Sequence, residues 1–270
     1  MATTKKVTRV ESASNAPTGQ KWVPTAEAKG QAGKNRLLAA VFWILAIATQ
    51  AVGIWYLCKY TPLEGSEKVI MIALLVVDLI LLIIGSFFWK KANRLDPPSK
   101  ASALFGIQSQ FGVIMAAVCF LPVIIVAFIK KEYLITALAT AAMIGGGAAS
   151  ADYKPASQEE YAQQSSFVTE LMDADHVYWT KSGTKYHLYD DCQYLKSDRT
   201  TEIFEGGTVA EAYANNSRIK PEMSSLCSAC EKRAAKAKGW TDEQLQQAKD
   251  KAIEAAKKGA SVLTEEKGEE

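Results

Sequence analysis

Apolar positions gather in one half of the chain, in runs with no polar face. Leu37–Leu57 is an uncharged run of 21 residues, enough for a helix to cross a hydrocarbon core about 30 Å thick. Trp55 and Tyr56 close it, as interfacial aromatics do. Pro62 and Gly65 mark a polar turn, and a second run covers 69–89, ending on Phe87, Phe88 and Trp89 before Lys90 and Lys91. Asp96, Pro97 and Pro98 form a helix stop. A third run covers about 108–129 with Pro122 inside it, tolerable in a membrane helix whose neighbours re-satisfy the backbone. Lys130, Lys131 and Glu132 then lead into 133–150, a short segment rich in Ala, Thr and Gly. The pattern predicts an α-helical membrane bundle of four spans over 35–150, with a re-entrant or surface segment as the alternative for the fourth.

Within that fourth segment Ala137, Ala141, Gly145 and Ala149 recur every four residues. Such a stripe of small side chains predicts a face for close helix packing. Lys and Arg near the span ends set orientation. Lys21, Lys29, Lys34, Arg36, Lys90, Lys91, Arg94, Lys100 and Lys154 flank one side, against Lys59, Lys68, Lys130 and Lys131 on the other, nine to four. That asymmetry predicts both termini in the cytoplasm, or the C-terminus outside if 133–150 does not span.

The flanks carry a different pattern. Residues 1–34 lack apolar periodicity and read as a disordered basic tail. A connector at 151–176 holds one amphipathic helix, opened by a capping box of Ser157 and Glu160. Val177–Leu188 has the alternation of a β-hairpin turning at Ser182-Gly183. Thr208 and Glu211 form a second capping box, opening a short helix to about Tyr213, and another helix is predicted from Cys227 to Gly239. The region 177–239 thus reads as a small α+β soluble domain. Beyond it, 240–270 holds a helix capped by Thr241 and Gln244 and running to about Lys258, then an acidic tail. That helix has good propensity but little apolar surface, so a solvated helix is the default.

Over 270 residues the net charge is only +2, so bulk charge gives no argument for a nucleic-acid partner. Of five cysteines, Cys58 and Cys119 fall at or within apolar runs, where a thiol behaves as a small hydrophobe. The other three, Cys192, Cys227 and Cys230, lie in the polar region with His187. Three thiols and an imidazole make a full tetrahedral ligand set for zinc. His187 and Cys192 form one pair and the Cys-x-x-Cys of 227–230 the other, a clamp suited to stapling a small domain. A redox or disulfide pair is the competing reading of Cys227 and Cys230. His176 reads as an ordinary surface residue.

The run from Val177 to His187, with Cys192 and the later Cys227-Ser228-Ala229-Cys230, resembles a small zinc module appended to various bacterial membrane proteins and nucleases. Its layout is similar to that of the N-terminal zinc domain of the Ada DNA-repair protein. The resemblance implies metal binding by His187, Cys192, Cys227 and Cys230. It covers about residues 177–233 and departs from the Ada pattern, in which four cysteines bind and one accepts a methyl group. Leu226 stands where a proline often precedes the knuckle, and no helix-turn-helix or methyltransferase signature accompanies the module. DNA repair is therefore not carried over.

Asp78 lies mid-way along the second span, where an ionised carboxylate is expensive. It reads either as an ion or proton site or as a structural residue partnered by Gln50 or Gln108. Gly145-Gly146-Gly147 lacks the Lys-Ser/Thr of a phosphate loop and reads as a helix-packing feature. Trp179 and Tyr178, Tyr186, Tyr189 and Tyr194 are mostly core candidates, although some could stack on a base. The basic stretch of Lys232, Arg233, Lys236 and Lys238 reads as a solvated helix face. The leading expectation is a non-enzymatic multi-pass membrane protein whose cytosolic zinc-stapled domain serves interaction or assembly, with homo-oligomers one form of it. A thiol redox or alkylation sensor and a small transporter using Asp78 are the alternatives.

Overall fold

A computed structural model describes residues 6–10, 23–196, 202–206 and 208–266. The chain divides into two units, one of residues 32–92 and 106–153, the other of 1–31, 93–105 and 154–270.

The first unit is built on four helices long and apolar enough to cross a membrane: α1 (Ala26–Tyr60), α2 (Ser66–Leu95), α4 (Phe111–Ile129) and α5 (Tyr133–Ser150). A short α3 (Phe105–Ser109) precedes α4. Helix α2 stops at Leu95, directly before Asp96-Pro97-Pro98, as expected from the missing donors and fixed φ of proline. Helix α4 runs unbroken through Pro122. The 18 residues of α5 rise about 27 Å, just short of a hydrocarbon core of about 30 Å.

The small-residue stripe of α5 is displaced from its expected position. Ala137, Ala141, Gly145 and Ala149 are all exposed, while Ile135, Ala139, Gly146, Gly147 and Ser150 are buried. A spacing of four drifts by about 40° per step on a helix of 3.6 residues per turn, so several offsets look equally regular in sequence. The packed face is identified by contact. A Cβ on Gly146 would lie 2.8 Å from Leu79 Cδ1 and 2.9 Å from Leu82 Cδ2. The glycine run is therefore a close-approach feature at Gly146.

The second unit holds a three-stranded sheet in the order β1-β3-β2, from Lys6–Val10, Glu202–Gly206 and Val177–Trp179. β1 runs parallel to β3 and β2 antiparallel to it. Two expectations need correction. Two stretches of the 1–34 tail predicted to be disordered are regular structure: residues 6–10 are a strand that completes a sheet edge local sequence could not reveal, and 26–34 form the start of α1, while 1–5 and 11–22 lie outside the described residues. The predicted hairpin is reduced to a single bridge between Tyr178 and His187. The main partner of β2 is β3, from the long segment between Cys192 and Cys227 that carries no strong strand signal of its own.

Around the sheet lie α6 (Gln158–Met172), α7 (Val209–Asn215), α8 (Ser228–Ala237) and α9 (Asp242–Glu266). Ser157 caps α6 by accepting the Glu160 N–H at 3.2 Å. Thr241 and Gln244 cap α9 reciprocally, at 2.9 and 3.3 Å. Thr208 does not cap α7 through its hydroxyl, which has no partner among the described residues. Asp175 takes that place, accepting the Val209 N–H at 2.9 Å. Helix α9 is longer than expected and is not merely solvated: it packs on α6 and buries Ala248 and Ala252, three and seven residues beyond half-buried Leu245. Small residues make a flat face that lets two helices approach without much apolar bulk.

The core of this unit is aromatic. Trp179, Tyr161, Tyr186, Tyr213 and Phe167 are all at most 1% exposed. Trp179 stacks on Phe204 and Tyr161 on Tyr213. Gln164, fully enclosed, accepts hydrogen bonds from the hydroxyls of Tyr213 and Tyr186. The loop 93–105 belongs to this unit. Tyr161 donates to the Arg94 carbonyl at 2.9 Å, and Arg94 donates to the carbonyls of Tyr213 and Ser217. Glu159 accepts from Ser99 and from the Lys100 N–H.

Candidate metal centre

Four sequence-distant donors meet in the second unit because two backbone bridges bring their carriers together. Tyr186 pairs with Leu226: its N–H donates to the Ser225 carbonyl at 2.9 Å, and its carbonyl accepts from the Cys227 N–H at 3.0 Å. One residue onward on each side stand His187 and Cys227. His187 is also held by two 2.8 Å backbone bonds with Tyr178. Cys192 follows in a turn, its N–H donating to the Tyr189 carbonyl at 3.3 Å. Cys227 is the N-cap residue of α8, and Cys230 lies in that helix's first turn. Unpaired N–H groups and the helix dipole at this end favour negative sulfur.

His187, Cys192, Cys227 and Cys230 are all buried, and one ligand atom from each lies within 4.8 Å of all the others. Cys230 Sγ is 3.8 Å from His187 Nδ1. Metal bonds of about 2.3 Å to sulfur and about 2.0 Å to nitrogen at a tetrahedral angle imply edges of roughly 3.5–3.8 Å. The group could therefore hold a metal ion, its widest separations closing by about 1 Å to reach those edges. No disulfide joins any of the three thiols.

The electrostatics suit the same conclusion. Burial, aided by the Lys185 ammonium, pushes the His187 imidazole down to about 4, so it is neutral and able to donate a lone pair. Burial pushes the Cys230 thiol up to about 12; Cys192 and Cys227 add to this, while the Leu188 backbone opposes it. Crowded thiols of this kind do not ionise together in a low-dielectric site. A divalent cation reverses that preference by supplying the missing positive charge.

One side of the group opens on a cleft of about 220 Å³ lined by Tyr189, Asp191, Cys192, Gln193, Ala229, Cys230 and Arg233. Arg233 pairs with Asp191 at 2.5 Å, and its guanidinium lies 4.1 Å from the centre of the Tyr189 ring. Arg233 is therefore engaged beside the metal group and is not simply part of the solvated basic face expected from sequence. Its only sequence signal is its position three residues after Cys230, on the same side of α8. Lys238 is engaged too, bonding Asp173 and the Glu170 carbonyl at 2.8 Å. Of the aromatic residues, Trp179 and Tyr186 are spent in the core, and Tyr194 is 60% exposed. His176 packs edge-on against Tyr178 and is not part of the metal group.

Asp78, the other residue singled out, belongs to the helical unit. It is 2% exposed, and neither carboxylate oxygen has a hydrogen-bond partner among the described residues. The partnership expected with Gln50 or Gln108 is not formed, since both Asp78 oxygens lack a hydrogen-bond partner among the described residues; Gln50 Nε2 lacks one too.

Fold and site together define a chain with four candidate membrane helices and a buried His/Cys group able to hold a metal. No protein-family model matches it, and no curated protein or solved structure does either.

Proposed function

We propose that this is a multi-pass membrane protein whose second unit is a cytosolic domain stapled by structural zinc and used for interaction or assembly. The observation that carries the reading is the convergence of four buried donors within 4.8 Å of one another, a complete set of protein ligands for tetrahedral zinc. A closed set favours structure over catalysis, since catalytic zinc keeps one site open. The layout similar to the Ada zinc domain supports metal binding, and nothing beyond it.

The cytosolic assignment draws on the nine-to-four excess of Lys and Arg. That these segments share one side is supported by the company the second unit keeps: β1 near the N-terminus, the loop 93–105 and residues 154–270 all belong to it. Segments on one side of a membrane are separated by an even number of crossings. That condition is met when α1, α2, α4 and α5 all span.

The test is metal analysis of the full chain purified in detergent. About one zinc per chain is expected, lost in both His187→Ala and Cys230→Ser. Wild-type protein that folds without stoichiometric metal would overturn the reading. The redox alternative would need a reactive thiolate. Burial of Cys227 and Cys230 and the raised Cys230 thiol speak against it, and rapid alkylation of either cysteine in the native protein would revive it.

A further inference from the structure

Close approaches in the helical unit fix which residues lie level with Asp78. A Cβ on Gly85 of α2 would stand 2.6 Å from Trp43 of α1, and one on Gly53 of α1 would stand 3.3 Å from Met71 of α2. Those two pairs define an antiparallel register in which Asp78 lies level with the turn from Ala46 to Gln50. On α4, a Cβ on Gly112 would stand 2.8 Å from Ser86 of α2, so Cys119 falls at the level of Asp78. Ala46 and Cys119 are fully buried and Gln50 is 7% exposed. Helix α5 meets the same stretch of α2 through Gly146, against Leu79 and Leu82.

Among the described residues, no cation lies at this level. The nearest on α2 itself are Lys68 and Lys90, ten and twelve residues away, or about 15–18 Å along the helix. Arg36 and Lys59 of α1 and Lys130 after α4 are similarly remote. Helix α5 contributes no charged residue. Among the described residues placed at this level on α1, α4 and α5, only Cys119 carries a titratable group; Ala46 and Gln50 do not. Asp78 also stands close to the centre of the apolar run 69–89, which on the proposed reading of α2 as a membrane span is the middle of the hydrocarbon layer. An ionised carboxylate there, with no counter-ion and no hydrogen bond received, is far less favourable than the neutral acid.

A structural aspartate would be bonded to a neighbour. Here two acceptor oxygens and the Gln50 Nε2 donor are buried at one level without partners. We propose that Asp78 is a proton-binding site at the bilayer midplane, carrying an exchangeable proton at neutral pH with Gln50 and Cys119 as its polar neighbours.

The test is infrared spectroscopy of the full chain in lipid bilayers at about pH 8, where solvent-exposed carboxyls are ionised. The proposal expects the carbonyl stretch of an undissociated carboxylic acid. The band should shift on incorporation of carbon-13 aspartate and again on transfer to D2O, and it should vanish in Asp78→Asn. It should survive Asp175→Asn, which removes a half-buried aspartate of the second unit whose carboxyl is also raised. Absence of the band in the wild type overturns the proposal. So does a band that disappears in Asp175→Asn, or one that fails to shift in D2O. The wild-type and Asp175→Asn spectra decide the matter even if Asp78→Asn does not fold.

Discussion

Asp175 offers a perturbation whose sign can be worked out in advance. Its carboxylate accepts the first N–H of α7, from Val209, and the hydroxyl of Ser165. Burial pushes it up from 3.8 to about 6, against the pull of those two donors. A carboxyl raised in the folded state holds its proton where the unfolded chain has released it. The associated stability is complete below about pH 4 and is lost as pH rises through about 6. The full shift corresponds to about 3 kcal/mol, which partial solvent access around this half-buried residue reduces to about 1–3 kcal/mol. Asp175→Asn keeps an acceptor for Val209 and abolishes the titration, so near pH 7 it should protect α7 as well as the wild type or better. Asp175→Ala leaves the Val209 N–H and Ser165 hydroxyl without acceptors, at a cost of about 1–3 kcal/mol. The assay is hydrogen exchange of peptides covering Val209–Asn215, corrected for intrinsic rates. Acidification also threatens the metal centre, so the informative quantity is the wild-type value minus the Asn value at each pH. That difference should change by roughly 2- to 10-fold in rate between about pH 5 and pH 7, the part of the titration that lies in this interval. A flat difference, or equal loss in Asn and Ala at neutral pH, would refute the assignment of Asp175 as the buried cap.

Three further outcomes are expected. Gly85→Ala should destabilise the helical unit by about 1–3 kcal/mol, because its new methyl would meet Trp43 at 2.6 Å, whereas Gly145→Ala, with open space around it, should be neutral or slightly stabilising; unfolding in mixed detergent compares them. Gln164→Leu removes the acceptor shared by Tyr186 and Tyr213 and should cost about 2–4 kcal/mol, read by denaturant titration of tryptophan fluorescence. Exposed Cys58, near the outer end of α1 in the proposed orientation, should react with an impermeant maleimide on intact cells, while Cys192, Cys227 and Cys230 stay protected until the protein is denatured.

Much of the molecule is legible in one dimension because its strongest signals are local. A run such as 69–89 must satisfy its own backbone inside hydrocarbon, so composition alone requires a helix. The caps at Ser157 and Thr241 are likewise set by hydrogen bonds that reach only three residues. The donor types of His187, Cys192, Cys227 and Cys230 name a metal chemistry before any coordinates exist. Tertiary structure decided what depends on distant partners. The Tyr186–Leu226 bridge converts two separated pairs of donors into one group, and β3 draws both β1 and β2 into its sheet. Asp175 displaces Thr208 as the cap of α7 across 33 residues of chain. The packed face of α5 could not be chosen from its repeat, because small residues recur at several offsets and only Leu79, Leu82 and Ala116 select the one that is buried. Local energetics wrote the helices and the ligand chemistry; long-range packing chose which face, which strand and which cap.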